Sequence, residues 1–476
     1  MKRRTILKAS AGLATLPGLG MLGGCGPKGE AVAGFEEGMY LAGNFGPVEA
    51  EVTETALEVE GALPRELVGR FVRNGPNPIG EVGSKHHWFL GDGMLHGIRI
   101  ADGKADWYRN RWVRGRGVLE KLGESAPPSA PSSSPNTHVI GHAGRTWAIV
   151  ESGGPPVSMS YGLETVGEVA GWDAYTAHPK IDPDTGHLHA LCYNWAEWRD
   201  HIKYLERTPD GHTVKSMEIP LAGMTMIHDM ALTERYVVIM DLPVTVSFLA
   251  LGTGYRFPFR WDPEHEPRIG LLPRDGGPGD IVWSPISPQA AFHPMNAYEQ
   301  PDGQVVIDVC RYDRMFEADL NGPFGDSLPR LDRWTVNPQT RTVSETIVYD
   351  RPVEFPRCHP ALNSKPYRWG YSVASEGPAF PGILKHDMQS GSVERMDFGP
   401  GRHGGEPLFV PREGGSAEDD GYLMTFVYDQ GSDRSEFVVL DARDMGRPPL
   451  ATVRLPTRVP YGFHGSWIPD AEVGPA

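Results

Sequence analysis

Along most of the chain, short runs rich in Val, Ile, Thr, Tyr and Phe alternate with clusters of Gly, Pro, Asp and Asn. RTWAIVES (145–152), RYVVIMDLPVTV (235–246), QVVIDVCRY (304–312), TVSETIVYD (342–350), GYLMTFVYD (421–429) and EFVVLDA (436–442) each have the length and composition of a β-strand. Helical periodicity is weak throughout, so the pattern predicts an all-β body from about residue 40 onward. The strands recur without a strict sequence repeat, and pattern alone admits a sandwich, a barrel or a propeller. SAPPSAPSSSPN (125–136) is the one low-complexity stretch and predicts an exposed loop. Beyond the N-terminal segment no apolar run has the length of a transmembrane helix.

With 476 residues the chain is long enough for one large closed β architecture. Its 58 glycines and 44 prolines imply many tight turns. The net charge is −16, and −20 once Lys2, Arg3, Arg4 and Lys8 are removed with the leader described next. So acidic a body repels phosphate backbones, which argues against a nucleic-acid partner. Cysteines stand at 25, 192, 310 and 358 with no CxxC pair, and the last three predict buried, inert thiols, with a single bridge among them left open.

MKRRTILKAS opens the chain with paired arginines, and the apolar, Gly-rich stretch after it is too short to span a bilayer. This resembles a twin-arginine export signal, and Leu22-Gly23-Gly24-Cys25 resembles a lipobox. Residues 1–24 are therefore expected to be a signal peptide with Cys25 as the lipid-anchored residue, followed by a linker over 25–39. The implied location is outside the cytoplasm, periplasmic or as a membrane-anchored lipoprotein. A formal GxGxxG at 18–23 follows no strand and opens no dinucleotide-binding unit.

Four histidines stand at the edges of apolar, strand-like segments: His178 in TAHPKIDP, His228 in MIHDMALTERYVVIMDLP, His293 in FHPMN and His464 in VPYGFHGSW. They suggest a metal held by imidazole alone. Spread so widely along the chain, they can meet only if the fold closes on itself and aims each ring at one axis, as a β-propeller does. His187 and His189, at i and i+2, would face the same side of a strand and form a weaker candidate clamp. HExxH, a P-loop and GxSxG are absent.

The same residues match a family. The chain resembles the carotenoid oxygenases, iron-dependent alkene-cleaving enzymes, from GRFVRNGPNP (69–78) and GDGMLHGIRI (91–100), through NTHVIGHAGRTWAIVESGGPP (136–156), to EPLFVPR (406–412) and VPYGFHGSWIP (459–469). The resemblance implies a single seven-bladed β-propeller over residues 40–472, with loops and short helices forming a cap over an axial site. It implies Fe(II) bound by neutral imidazoles of His178, His228, His293 and His464, with Glu151, Glu354 and Glu406 accepting the other ring N–H of three of them. A carboxylate there fixes the tautomer and orients the ring. Thr137 matches a position beside the iron that in some relatives partly blocks a coordination site. His86, His87 and His96 lie in a shared segment but away from ligand positions. Loading iron before export would also protect it from competing copper and zinc.

Such a site suits alkene cleavage, because a C=C bond offers neither a leaving group nor a labile proton to acid, base or nucleophile. The expected partners are O2 and an apolar polyene or aryl-alkene. Phe248, Leu249, Leu251, Tyr255, Phe257, Phe259 and Trp261 provide apolar material for a tunnel wall, its mouth and a membrane-facing patch. Stilbene-cleaving relatives place a lysine where this chain has Val150, which favours a carotenoid or apocarotenoid, although Tyr108 is a candidate phenol contact. The alternatives are a stilbene or other phenylpropenoid, and a propeller that binds or isomerises an apolar ligand without cleaving it.

Overall fold

A strand that is apolar on both faces has to be covered on both, and a ring of radially packed sheets covers every one of them. Val305–Tyr312 shows how. Val305, Ile307 and Val309 pack against Val238 and Leu271 of the preceding sheet, while Cys310, on the opposite face, joins Val353 and Leu384 of the following one. The computed structural model describes residues 38–475 apart from 173, 199 and 253. The expected leader and most of the expected linker lie outside the described residues.

The described chain forms a seven-bladed propeller of antiparallel sheets. In chain order the innermost strands of six blades are His138–His142, Lys180–Ile181, Met230–Leu232, Ala290–Glu299, Val353–Cys358 and Leu408–Pro411. The seventh is Gly465–Pro469, which returns from the C-terminus to pair with Gly69–Pro76 in the blade built by the N-terminal strands. Reciprocally, Glu58–Gly61 adds to the outer edge of the blade containing Ala451–Arg454. An early and a late strand are thus each stitched into the other's sheet, and the ring closes by hydrogen bonds rather than by packing alone.

Outer strands carry the polarity that the inner ones lack. Thr342–Tyr349, within one of the predicted runs, lies at a blade edge and is largely exposed. The run 235–246 is divided by Leu242 and Pro243: Tyr236–Asp241 stays in its blade, whereas Val244–Val246 leaves it to form a separate hairpin with Phe259–Trp261. Two short α-helices are described, Arg116–Lys121 and Phe248–Gly252. Cys192, Cys310 and Cys358 are buried free thiols, so no bridge forms among them. The stretch 125–136 is an exposed loop only in its first half, because Ser133, Ser134 and Asn136 turn inward and line the central cavity.

The closing seam has no room for a side chain at Gly69, where a Cβ would sit 2.6 Å from the Ile468 carbonyl oxygen and 2.9 Å from the Pro469 Cα. Gly69→Ala is expected to cost roughly 1–3 kcal/mol of stability in urea unfolding, the usual range for overpacking. Gly117→Ala, where nothing lies within 4 Å, is expected to be neutral or slightly stabilising. Equal unfolding midpoints for the two variants would contradict this account of closure.

Candidate metal centre

Each inner strand begins at the axis on the same side of the ring, and the four histidines use that common geometry. His178 and His228 precede Lys180–Ile181 and Met230–Leu232 by two residues, and His464 immediately precedes Gly465–Pro469. His293 lies inside Ala290–Glu299, at a bulge where the pairing steps from Ala291 with Arg311 to Pro294 with Val309. The extra residue turns the ring toward the axis. All four side chains are buried, and one ligand nitrogen from each lies within 4.8 Å of the others. His228 Nε2 is 3.1 Å from Nε2 of both His178 and His293.

Carboxylates fix the rings from behind. His228 Nδ1 donates to Glu151 at 2.8 Å, His293 Nδ1 to Glu354 at 2.6 Å and His464 Nδ1 to Glu406 at 2.9 Å. With the proton on Nδ1, each Nε2 turns a lone pair inward. His178 differs: its Nδ1 is 3.5 Å from Asp229, which is paired with Lys180 at 2.8 Å. Glu354 owes its aim to a second bulge, where Phe355 takes a φ of 51° and the register jumps from Glu354 to Arg357.

Sequence reasoning missed the groups that hold the glutamates. Tyr193 donates to Glu151 at 2.9 Å and Tyr312 to Glu354 at 3.2 Å, while Arg357 Nε at 2.8 Å and the Gly465 amide at 3.0 Å donate to Glu406. Each tyrosine is 42 residues from its partner, a separation that leaves no local signal. Asp229 and Lys180, next to ligands at otherwise apolar strand ends, did carry one.

The electrostatics fit a cation in the cage. Burial, with the neighbouring imidazoles, holds His178 and His293 well below the usual histidine range, and burial brings His464 to about 3 against the pull of Glu406. For His228, burial acts downward but Glu151, Asp229 and Glu354 outweigh it. Burial lifts Glu354 to about 7, whereas Glu406, also buried, is held well below the carboxylate range by Arg357 and His464. Around the rings four carboxylates face two cations, Lys180 and Arg357, so full ionisation leaves two negative charges, which one divalent ion would balance. His228 and His293, both with Nδ1 committed as donor, face each other with Nε2 lone pairs 3.1 Å apart, which repel unless a cation lies between them. Ligands at right angles and about 2.1 Å from one ion would be about 3.0 Å apart. An all-imidazole set suits iron, zinc, copper or nickel.

A cavity of about 380 Å³ opens onto His228, His293 and His464. Its wall is aromatic, including Trp88, Phe89, Phe257, Phe292, Phe324 and Phe463, and among the described residues no lysine or arginine lines it. Thr137 faces it with its hydroxyl donated to Asn136 Oδ1 at 2.9 Å, and Val150 faces it beside Glu151. Of the expected wall residues, Phe257 and Phe259 line the cavity, Trp261 is buried away from it, and Phe248 and Leu249 are 55% and 83% exposed on Phe248–Gly252. Tyr108 does not reach it: the expectation of a phenol contact fails because its hydroxyl is buried in the first blade against His96 Nδ1, at 2.8 Å. His87 stacks on Phe257 at 4.2 Å and His86 is no ligand. His187 and His189 bond Glu206 and Tyr204 separately, and among the described residues only the four-histidine group has metal-ligand geometry.

His464→Ala is expected to bring the metal content of anaerobically purified protein close to zero while the β circular-dichroism spectrum persists. Stoichiometric metal in that variant would contradict the site. Glu406→Gln removes a charge and an acceptor but no ligand, and is expected to weaken metal affinity by about 10–100-fold in chelator competition.

The family model described as "Retinal pigment epithelial membrane protein" matches residues 45–469. A carotenoid cleavage oxygenase of Mycobacterium tuberculosis is 41% identical over 92% of this chain and 99% of its own length. Among solved structures, Pseudomonas brassicacearum lignostilbene dioxygenase superposes with a TM-score of 0.82 at 29% identity, covering 92% of this chain and all of that one. Cobalt-substituted Synechocystis apocarotenoid oxygenase gives 0.79 at 29% identity, over 89% and 97%. With its axial histidines, its propeller and a match along nearly its whole described length, the chain belongs to the RPE65 and carotenoid oxygenase family and is a dioxygenase of that family.

Proposed function

We propose that this protein binds Fe(II) through His178, His228, His293 and His464 and uses O2 to cleave a C=C bond of a carotenoid or apocarotenoid into two carbonyl fragments. The observation that carries the reading is the aromatic cavity opening on His228, His293 and His464, with no lysine or arginine in its wall among the described residues. A polyene has no charge to pair and gains by leaving water, so such a wall holds it by area and shape. The identity to a carotenoid cleavage oxygenase supports the same class. The ion, when bound, supplies the redox centre for dioxygen that amino-acid side chains lack.

The residues of the chain do the remaining work. Phe89, Phe257, Phe292 and Phe463 exclude water and fix which double bond lies over the cage. Glu151, Glu354 and Glu406 keep the imidazoles aimed. Tyr193 and Tyr312 line the cavity, but their hydroxyls are committed to Glu151 and Glu354 and do not act as acids toward substrate. Thr137, its hydroxyl turned to Asn136, narrows the approach beside His464. Exposed Phe248 and Leu249, near the wall residues Phe257 and Phe259, favour contact with a membrane surface from which an apolar substrate is drawn. An exported, lipid-anchored form, as the N-terminal sequence suggests, would keep that patch at a bilayer.

A second reading, cleavage of a stilbene or another phenylpropenoid, is favoured by the resemblance to lignostilbene dioxygenase. Against it, Val150 cannot engage a phenol, and among the described residues no lysine or arginine lines the cavity. Oxygen uptake and product mass on carotenoids, apocarotenals and 4-hydroxystilbenes separate the two. The proposal expects one O2 consumed per pair of carbonyl products and at least about tenfold higher kcat/KM on the polyenes, a gap one unmatched polar contact can produce. Preference for the stilbenes would favour the second reading, and ligand conversion without oxygen uptake would point to isomerisation.

A further inference from the structure

The propeller axis holds another cavity, of about 530 Å³, which meets the histidine cage from the other side. The chain direction separates the two. Residues just before ligands, Phe292 and Phe463, wall the aromatic cavity, whereas residues just after them, Pro179, Pro294 and Ser466, wall the axial one. His228 faces only the first, His178 only the second, and His293 and His464 face both. The cage is a septum between two compartments.

Their chemistry differs. Lys180, Asp229, Arg357, Glu406 and Glu472 line the axial cavity. Two ion pairs sit at its inner end, Lys180 with Asp229 and Arg357 with Glu406, both at 2.8 Å. Each shares its carboxylate with a ligand ring, Asp229 lying 3.5 Å from His178 Nδ1 and Glu406 2.9 Å from His464 Nδ1. A hydrated divalent ion entering the aromatic passage would have to leave most of its water among apolar rings, and the carboxylates that line that cavity, Glu151 and Glu354, are each already bonded to a ligand ring and a tyrosine hydroxyl. Along the axis, carboxylate oxygens stand within reach up to the imidazoles, so water can be exchanged stepwise. Dioxygen, apolar and uncharged, gains nothing from two ion pairs.

We infer that this axial vestibule is the route by which the metal ion enters and leaves the cage, the aromatic cavity being left to the organic substrate. The inference rests on the four histidines holding a metal, not on which alkene is cleaved. Ser466 is the position to test it. It is half-buried on the vestibule wall, two residues beyond His464, with its hydroxyl 3.5 Å from His138 Nε2. Ala361, exposed at the same cavity, offers an independent obstruction.

The full-length protein is stripped with a chelator, and Co(II) uptake is followed anaerobically by its visible absorption in stopped flow. Ser466→Met and Ala361→Trp are expected to slow uptake several-fold. Ser466→Lys, similar in length to Met but charged, is expected to be at least about tenfold slower still at low salt, with the difference shrinking at high salt. Leu90→Trp, which obstructs the aromatic cavity, is expected to leave the rate unchanged. Circular dichroism confirms that each variant is folded. Equal rates in all variants, or slowing only by Leu90→Trp, would overturn the route while leaving the metal site intact. Failure of the wild-type protein to take up Co(II) stoichiometrically would overturn the metal reading and the route together.

Discussion

Three hydrogen bonds from histidine Nδ1 to a glutamate decide what the centre of this propeller can be. An imidazole with its proton fixed outward has a lone pair fixed inward, and three such rings converge with His178, bringing the lone pairs of His228 and His293 to 3.1 Å of each other. The cage is costly without a cation, because it gathers buried carboxylates and lone pairs in a low-dielectric interior. With a divalent ion the same groups would become a neutral, oriented unit. The fold enables this by bringing inner strands from separate blades to one axis and closing the ring through Gly465–Pro469, the strand that directly follows His464. Closure and the fourth ligand are therefore coupled: a chain that fails to dock its last strand also loses a histidine.

Much of this was legible in the sequence, for identifiable reasons. Strand runs such as QVVIDVCRY are read from composition because both faces are covered by neighbouring blades. The four histidines stand out because each is a polar residue at the edge of an apolar segment, and Glu151, Glu354 and Glu406 were expected from the family resemblance. What was not legible depends on contacts across blades. Tyr193, Tyr312 and Arg357 reach their glutamates only when neighbouring blades pack together. Tyr108 looked available to a substrate because strand alternation does not say which neighbour covers a face, and His96 covers it. Half of the low-complexity stretch was misread as surface, since small residues that mark a loop are also those able to pack tightly against a cavity. Gly154 shows how tightly, for a Cβ there would meet Ser133 Oγ at 2.5 Å.

The two cavities that meet at the cage divide its surroundings by polarity. Phe292 and Phe463, which precede ligands in the chain, line an aromatic compartment, and Lys180 and Asp229, which follow them, line one with more charged groups. A one-residue shift of an inner strand would exchange the faces of these side chains, so the bulges at His293 and Glu354 are as much part of the site as the ligands themselves. Selectivity for an apolar substrate and affinity for a hydrated ion would otherwise compete for one entrance.

The central claim is that four imidazoles and no other protein donors hold one metal ion. X-ray absorption at the iron edge of anaerobically purified, iron-replete protein tests it most directly. The account predicts a first shell of nitrogen and light-atom scatterers with the outer-shell pattern of four imidazole rings, at one iron per chain. A first shell containing sulfur, fewer than four imidazoles, or iron distributed substoichiometrically over several environments would contradict it.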